Sequence, residues 1–258
     1  RATVVRERNR ADLQPLLRTA ALYQAKGQAT EARSLYADIF AVEPDWPEAL
    51  DAFFWFLTDQ GDLARVRTTL IETKLEYEEA HRVAQHLTTS APRNIDWQRD
   101  LSISHQRLGD VAVAQGNLDQ AAQAYHDSLT IAKFLAASDP GNTDWQRDLS
   151  IFHIKLSDVA VAQGNLDQAA QAYRDALAIA KQLAARDASN HQWQLDLSEY
   201  YRKSGDVAER RKKSSEAQIY WKQAFEILSG IDKRGLHLSP EDREFLDTLR
   251  QKAGLDAG

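Results

Sequence analysis

Cysteine and methionine are both absent from this chain of 258 residues. Without cysteine, disulfides, thiolate metal sites and a cysteine nucleophile are excluded. Without an initiator methionine, the chain is expected to be a piece, or a processed product, of a longer polypeptide. No apolar run is long enough to span a bilayer, and the basic opening RATVVRERNR lacks the apolar stretch of a signal peptide. We therefore expect no membrane insertion and assign the protein to the cytoplasm.

Motifs of catalysis are also missing from the sequence. It contains no glycine-rich dinucleotide or phosphate loop, no nucleophile elbow and no H-E-x-x-H motif. None of the seven histidines has a partner at metal-binding helical spacing, and His105 and His153 occupy one position in two repeats, which favours a packing role. A net charge of −6 disfavours nucleic acid as a partner. We expect no enzymatic activity, no cofactor and no metal within these residues.

The dominant feature of the sequence is a 48-residue unit that occurs twice in succession over residues 96–191. Roughly three quarters of the positions are identical in the two copies. A degraded third copy follows, because Trp193 and Asp206 keep the register set by Trp145 and Asp158. A fixed internal period of this length is typical of arrays of stacked structural repeats.

A shorter unit precedes these copies and predicts two short helices over residues 12–44. Gly27 separates the two helices, and Pro44 follows the second. The pattern of small, aromatic, glycine, alanine and proline positions resembles the tetratricopeptide repeat (TPR). The matching residues are Ala20, Tyr23, Gly27, Ala32, Tyr36 and Pro44 in this unit, and Gly109, Ala121, Tyr125, Ala169 and Tyr173 in the 48-residue copies. Ser157 departs from the pattern, which usually has glycine at that position.

The resemblance implies an all-α fold, a right-handed superhelical solenoid of about five helical hairpins with a C-terminal capping helix. The long period makes it a long-helix variant, similar to the TPR arrays of bacterial multidomain signalling proteins. The expected boundaries are 1–11 for an N-terminal extension or the end of a preceding helix, 12–46 for repeat 1, 47–93 for repeat 2, 94–141 for repeat 3, 142–189 for repeat 4, 190–230 for the degraded repeat 5, and 231–258 for a loop and the capping helix.

Repeat 2 is predicted to have an unusually long second helix. Its first helix begins at Pro47 and is expected to end at Gly61. Neither glycine nor proline follows until Pro92, so the pattern predicts one continuous helix over 63–90. A break near 72–76 is the alternative.

Helix caps are predicted at several of these boundaries. Asn94, Asn142 and Asn190 each stand three residues before a repeated tryptophan, where a side-chain oxygen can accept hydrogen bonds from first-turn amides. Ser239 followed by Pro240 predicts the start of the capping helix.

The TPR resemblance implies that the first helix of each hairpin lines a concave groove that binds a peptide or protein surface. The residues carried over to this groove are Asp51 and Trp55 in repeat 2; Ile103, Gln106, Asp110 and Val113 in repeat 3; Ile151, Ile154, Asp158 and Val161 in repeat 4; and Glu199, Arg202, Asp206 and Arg210 in repeat 5. The two near-identical copies differ at Gln106 and Ile154, whereas their second helices barely change. Either a partner selected this difference, or it is neutral drift on a tolerant surface.

Three of these residues, Asp110, Asp158 and Asp206, form a ladder of carboxylates at one register. Such a ladder would attract a basic peptide or a basic protein surface. The alternative is a structural role, in which cations on the same helix neutralise each aspartate. The cations three or four residues away are Arg107, Lys155, Arg202 and Arg210.

These features favour a protein–protein interaction scaffold or sensor module that is part of a larger protein. One alternative is a structural self-association module, which would make the chain a homo-oligomer. Another is the regulatory array of an enzyme whose catalytic domain lies outside these residues. The basic cluster at 210–213 would suit an acidic partner or phosphate, although a solvated charge run at a helix end is the commoner meaning.

Overall fold

The computed structural model describes residues 2–67 and 69–255, with side chains from residue 6 onward. Within these residues the chain is all-α, with eleven helices and no strand, the number expected for five hairpins and a capping helix. In chain order they are α1 (Ala2–Ala25), α2 (Ala29–Val42), α3 (Pro47–Arg67), α4 (Leu70–Ser90), α5 (Ile95–Ala114), α6 (Leu118–Ser138), α7 (Thr143–Ala162), α8 (Leu166–Arg186), α9 (His191–Arg210), α10 (Ser214–Lys233) and α11 (Pro240–Lys252). No helix in the described ranges is both long enough and apolar enough to cross a bilayer.

The helices form two compact bodies, which we describe separately. The N-terminal body, Arg1–Gly116, contains α1 to α5, and the C-terminal body, Asn117–Gly258, contains α6 to α11. In the N-terminal body α1 pairs with α2, α3 pairs with α4, and α5 packs on α4. In the C-terminal body the pairs are α7 with α8 and α9 with α10, while α6 packs on α7, α8 on α9 and α11 on α10.

Each body has its own hydrophobic core, and both cores include buried aromatic rings. In the N-terminal body the ring of Tyr36 lies 5.0 Å from that of Phe53 and 5.5 Å from that of Phe56. In the C-terminal body Tyr173 and Trp221 are buried in one cluster with alanines and leucines. Full burial of a large apolar side chain stabilises a fold by about 1.5–3 kcal/mol, so these rings anchor the hairpins.

Repeat 2 differs from the sequence-based prediction. Helix α3 runs through Gly61 to Arg67, and α4 begins at Leu70 with Thr69 as its N-cap, so a single helix over 63–90 is wrong, as is a break near 72–76. Gly61 is the point where α3 and α4 approach closely, because a Cβ atom placed on it would lie 2.3 Å from the ring of Tyr77. It is therefore a packing glycine in mid-helix rather than a helix stop.

The corrected boundaries bring repeat 2 into register with the later repeats. The second helices of repeats 2 to 5 begin at Leu70, Leu118, Leu166 and Ser214, which are 48 residues apart. Gly61 consequently corresponds to Gly109 within α5, and not to Gly116 in the turn after it. The predicted extension at 1–11 is, from Ala2 onward, continuous with the rest of α1.

The predicted helix caps are confirmed. The side-chain oxygens of Asn94, Asn142 and Asn190 each accept the backbone N–H of the tryptophan three residues later, all at 3.1 Å. Ser239 caps α11 in a reciprocal pair with Asp242, the arrangement known as a capping box. Each cap satisfies amides that would otherwise lack partners, which stabilises the helix by about 1 kcal/mol.

Short turns join the helices of the hairpins, and they share a backbone conformation. Gly27, Gly116 and Gly164 have φ between 71° and 80°, a left-handed conformation that glycine adopts without strain. In repeat 5 the glycine is replaced by Lys212, which adopts φ of 59°. A non-glycine residue in this region costs roughly 1 kcal/mol, so the turn geometry is imposed by the hairpin around it.

Candidate functional site on the first helices of the repeats

The candidate site is a set of four positions on the first helix of each hairpin, spaced i, i+3, i+7 and i+10. It occurs on α3 and α5 in the N-terminal body and on α7 and α9 in the C-terminal body, and we call these positions the first-helix face. Residues at this spacing lie on one side of an α-helix. Its leading position is occupied by Trp55, Ile103, Ile151 and Glu199 in repeats 2 to 5. Trp55 is 39% exposed, Ile103 and Ile151 are partly exposed, and Glu199 is exposed. This position thus presents accessible side chains of varied chemistry.

The second position of the face is less accessible. Gln106 and Arg202 are half-buried, and the guanidinium of Arg202 lies 4.1 Å from the centre of the Phe245 ring. Ile154 is only 6% exposed and belongs to the core of the C-terminal body. The assignment of Ile154 to a partner-binding surface is corrected accordingly, because a side chain buried in the core offers almost no surface to a ligand.

The third position carries the aspartate ladder, and the structure adds Asp62 to it. The Asp62 carboxylate accepts a hydrogen bond from the phenol of Tyr77 at 2.5 Å, and that of Asp158 accepts one from the phenol of Tyr173. In repeat 5 the donor is the indole N–H of Trp221, 3.1 Å from Asp206. Each of these aspartates is therefore bound by an aromatic donor from the second helix of its own hairpin.

A cation from the helix that follows the hairpin completes the arrangement. Arg107 lies 2.9 Å from Asp62, Lys203 lies 2.6 Å from Asp158, and Lys252 of α11 lies 3.0 Å from Asp206. We call each set of aspartate, aromatic donor and following cation an aspartate clamp. The clamps tie α3 to α5, α7 to α9 and α9 to α11.

The clamps revise the predicted pairing of the ladder. Arg107 was expected to neutralise Asp110 on its own helix, but it reaches back 45 residues to Asp62. The predicted pair of Arg202 with Asp206, four residues apart, is present at 3.3 Å. Asp62 itself was missed because Gly61 had been interpreted as a helix end. Its position 48 residues before Asp110 is the signal that could have identified it.

The protonation of the clamps follows from their surroundings. Burial, together with the adjacent Asp62 carboxylate, raises the pKa of the Tyr77 phenol, and Asp158 acts in the same way on Tyr173. Both phenols consequently stay protonated and act as donors. The clamp carboxylates themselves remain 35–40% exposed on their side chains, so each ion pair contributes about 0.2–1 kcal/mol after solvent screening. These contacts give the aspartate ladder a structural role, because they link the first helices of neighbouring hairpins, and α9 to α11.

The remaining predicted groove residues differ in how much of their surface is exposed to solvent. Val113 is 42% exposed, Arg210 is exposed, and Val161 packs partly against the core of the C-terminal body. Glu199 and Arg202 line a cleft of about 260 Å³ beside α11. Some of the predicted groove residues are therefore accessible to a partner, and others are partly covered by their own body.

Asp51 lies at the contact between α3 and α5 in the N-terminal body. Its carboxyl group shares a hydrogen bond with that of Asp100 of α5, and the nearby indole of Trp97 favours its charged form. Burial and the Asp51 charge raise the pKa of Asp100 to about 7, and burial also raises the pKa of Asp51. Asp51 is thus engaged between α3 and α5, and its side chain is half-buried.

Two of the histidines contact each other. His81 and His105 meet edge to face with ring centres 4.6 Å apart, and His81 also bonds the hydroxyl of Ser104 at 2.9 Å. Burial lowers the pKa of His153, which favours its neutral form. No group of three or more potential metal ligands occurs among the described residues.

The chain is an all-α protein of the TPR type. Its helices are paired, short turns with a left-handed backbone residue join them, and a small residue faces an aromatic ring in the hairpins. Solved TPR-type structures show the same fold. BtubC (BKLC) from P. vanneervenii superposes with a TM-score of 0.60 at 17% identity, covering 94% of this chain and 84% of that chain. The apo form of RapI gives 0.61 at 10% identity, with 95% and 84% coverage.

A structure of the MamA protein is also similar, with a TM-score of 0.53, 16% identity, and coverage of 88% of this chain and 98% of that chain. At such identities the likeness establishes the fold and nothing about partners. No family model and no curated protein matches the sequence. The chain thus has a TPR-type fold, and its function has to be inferred from its own surface.

Proposed function

We propose that this chain is a protein-recognition module that binds a peptide or a protein surface through its first-helix face. The observation that supports this most is a contrast between positions. Packing positions repeat along the chain, as in the series Tyr77, Tyr125 and Tyr173, whereas the exposed leading position changes from tryptophan through isoleucine to glutamate. Variation at an accessible position of a repeated scaffold is what a recognition surface needs, because each hairpin holds that side chain in the same local place.

The leading position, rather than the aspartate ladder, is the proposed source of binding energy. Clamp carboxylates already have aromatic and cationic partners, so a ligand would have to compete with them. Trp55, by contrast, is a large aromatic side chain that is 39% exposed, and tryptophan is among the residues that most often carry binding energy at interfaces. Ile103 and Ile151 supply further apolar surface at this position, and Glu199 supplies charge.

Site-specific photocrosslinking tests this proposal. Benzoylphenylalanine is introduced at Ile151 or Glu199 on the first-helix face, and at Ile219 on α10 as the control. Ile219 is 63% exposed, so a weak signal there would not reflect burial. After irradiation in a lysate of the native organism, we expect one partner protein to be crosslinked from positions 151 and 199 and not from position 219.

The alternatives give different patterns in the same experiment. A partner trapped from position 219 alone would place recognition on the second helices and contradict the proposal. An adduct with the mass of two chains would favour the self-association module instead. The assignment to the cytoplasm stays a prediction, which fractionation of the native cells would check.

A further inference from the structure

The boundary between the first two hairpins differs from the equivalent boundaries elsewhere in the chain. Leu63 of α3 is 43% exposed, whereas Val111, Val159 and Val207 at the same register are 3–4% exposed. Helices α2 and α3 accordingly touch much less extensively than α4 and α5, or α8 and α9. We call this boundary, between α1–α2 and α3–α4, the open seam.

The open seam lacks an aspartate clamp. At the equivalent register, the position of the clamp aspartate is Ala21 of α1, directly after the TPR-pattern residue Ala20. The position of the clamp cation is Asp59 of α3, 48 residues before Arg107. Ala21 has no carboxylate, and Asp59 carries the charge opposite to that of Arg107. The contact found there is a hydrogen bond of 2.8 Å from the Gln24 amide to Asp59. The first two hairpins are therefore not fastened in the way that α3 and α5 are.

The open seam contains a cleft of about 860 Å³ within the N-terminal body. Its walls come from the turn between α1 and α2 on one side and from α3 and α4 on the other. Clefts of 300–1,000 Å³ are of the size that encloses a small ligand or several side chains of a peptide. A second cleft of about 390 Å³ beside Arg33 shares Ala29, Gln60 and Glu76 with it, which extends the surface along α2.

The charges lining the cleft are mostly negative. Its four carboxylates are Asp59, Asp62, Glu72 and Glu76, against one cation, Arg67. Asp62 is held by Arg107, and Glu76 lies 2.5 Å from Arg33. In the described part of the chain, Asp59 and Glu72 have no salt-bridge partner. Arg67 offsets one of these two charges, so the cleft lining keeps an excess of one negative charge.

Exposed apolar side chains also occur on α4, the helix that supplies Glu72 and Glu76 to the cleft. Ile71 and Leu75, adjacent in sequence to the lining residues Glu72 and Glu76, are 69% and 60% exposed. The position of Ile71 is occupied by aspartate in repeats 3 and 4 and by serine in repeat 5, and that of Leu75 by glutamine in repeats 3 and 4 and by Ile219 in repeat 5. The pair of exposed apolar residues is thus a feature of repeat 2 and is not required by the repeat pattern.

Resting on the function proposed above, we infer that the open seam binds a cationic amphipathic segment of a partner protein. Leucine-type side chains of that segment cover Leu63 and the cleft walls. A lysine or arginine of the segment pairs with Asp59, supplying from outside the cation that Arg107 supplies to Asp62 within the chain. Charge complementarity selects a basic partner, since a cleft with net negative charge repels an acidic one.

The test uses a fluorescein-labelled helical peptide of leucine and lysine, with leucine at i, i+3, i+4 and i+7, and the same peptide with glutamate in place of lysine. Fluorescence anisotropy is measured at low and moderate salt. We expect the leucine–lysine peptide to bind with an affinity that falls as salt rises, and the leucine–glutamate peptide not to bind. The double variant Asp59→Asn with Glu72→Gln should weaken binding at least tenfold, and Leu63→Ser at least fivefold.

Matched variants in the C-terminal body control for general effects. Asp119→Asn changes an exposed carboxylate that also accepts a glutamine amide at 2.8 Å, and Ile219→Ser changes the residue at the register of Leu75. Both should leave binding within twofold of the unmodified chain. Thermal melting of every variant, followed by circular dichroism, separates loss of the binding site from loss of folding. Asp59 and Glu72 are exposed, so their substitution should leave Tm unchanged.

Three outcomes would overturn the inference. One is equal weakening by the seam variants and the control variants, and another is equal binding of the lysine and glutamate peptides. The third is a dimer in light scattering that Leu63→Ser abolishes, which would make a second copy the occupant. Failure of peptide binding together with crosslinks from positions 151 and 199 would reject the open seam as a site and leave the proposed function standing.

Discussion

Asp51 and Asp100 share a hydrogen bond at the register where Arg147 and Asp196 form an ion pair in the C-terminal body. Arg147 and Asp196 meet through two contacts, of 2.6 and 3.1 Å. In repeat 2 the arginine is replaced by Asp51, so two carboxyl groups face each other between α3 and α5. Such a pair can share a hydrogen bond only while it retains a proton, which makes this contact sensitive to pH.

We predict that the pair lowers stability as the pH rises from about 4 to about 7. Asp100 is 5% exposed and its pKa is raised to about 7, whereas an unfolded aspartate has a pKa of about 3.9. The unfolded chain therefore releases the proton first, and roughly 2–4 kcal/mol of stability present at acid pH is lost by neutral pH. Asp96 strengthens this effect and Arg99 opposes it. Urea unfolding at pH 5 and pH 8 measures the difference.

Reciprocal substitutions provide the control for the pH effect. Asp51→Arg should rebuild the ion pair seen at Arg147 and reduce the difference in unfolding free energy between pH 5 and pH 8. Arg147→Asp should create a new carboxyl pair with Asp196 and increase that difference. An unchanged pH dependence in Asp51→Arg would show that the pair does not control it.

Substitution of Gly205 is predicted to be costly. A Cβ atom at this position would lie 2.4 Å from the indole nitrogen of Trp221, the atom that donates to Asp206. Gly205→Ala should lower the free energy of unfolding by about 1–3 kcal/mol through overpacking. Gly230 lies in α10 with nothing within 4 Å of its Cβ position, so Gly230→Ala should instead stabilise the protein by up to about 1 kcal/mol. Equal effects of the two substitutions in urea unfolding would contradict the close helix packing at Gly205.

The aspartate clamp of repeat 4 is predicted to contribute measurably to stability. Tyr173→Phe removes the phenol that donates to Asp158, and the expected loss is about 1–2 kcal/mol because the bond is to a carboxylate. Tyr220→Phe is the matched control, since that phenol makes a long bond of 3.4 Å to Glu216, and it should change stability by less than about 0.5 kcal/mol. Chemical denaturation measures the free energy of unfolding of both variants. Equal decreases in the two would show that the clamp does not contribute to stability.

The clamp should also act as a unit with the following helix. Lys203→Met removes the cation that lies 2.6 Å from Asp158. In a double-mutant cycle, Tyr173→Phe and Lys203→Met should couple by about 0.5–1 kcal/mol, because both groups bind one carboxylate. Additive losses would indicate that the two contacts are independent.

Features that depend on neighbours within a few residues could be predicted from the sequence. The asparagine caps and the capping box at Ser239 follow from local hydrogen-bonding rules, and the repeated tryptophans mark the register of the copies. The helical hairpin class follows from the same local patterns. The misplaced end at Gly61 shows the limit of this approach, because a glycine that packs against Tyr77 has the same local signature as a glycine that ends a helix.

The partners of charged residues were decided by the tertiary structure. Sequence proximity assigned Arg107 to Asp110, but the stacking of hairpins brings it to Asp62, 45 residues earlier. Stacking likewise brings Asp51 to Asp100 and leaves Leu63 uncovered beside a cleft. The sequence by itself determines the repeats, the caps and the helical class, since these rest on short-range bonds. Which surfaces stay open depends on how one hairpin meets the next, which is set by contacts between residues far apart in the chain.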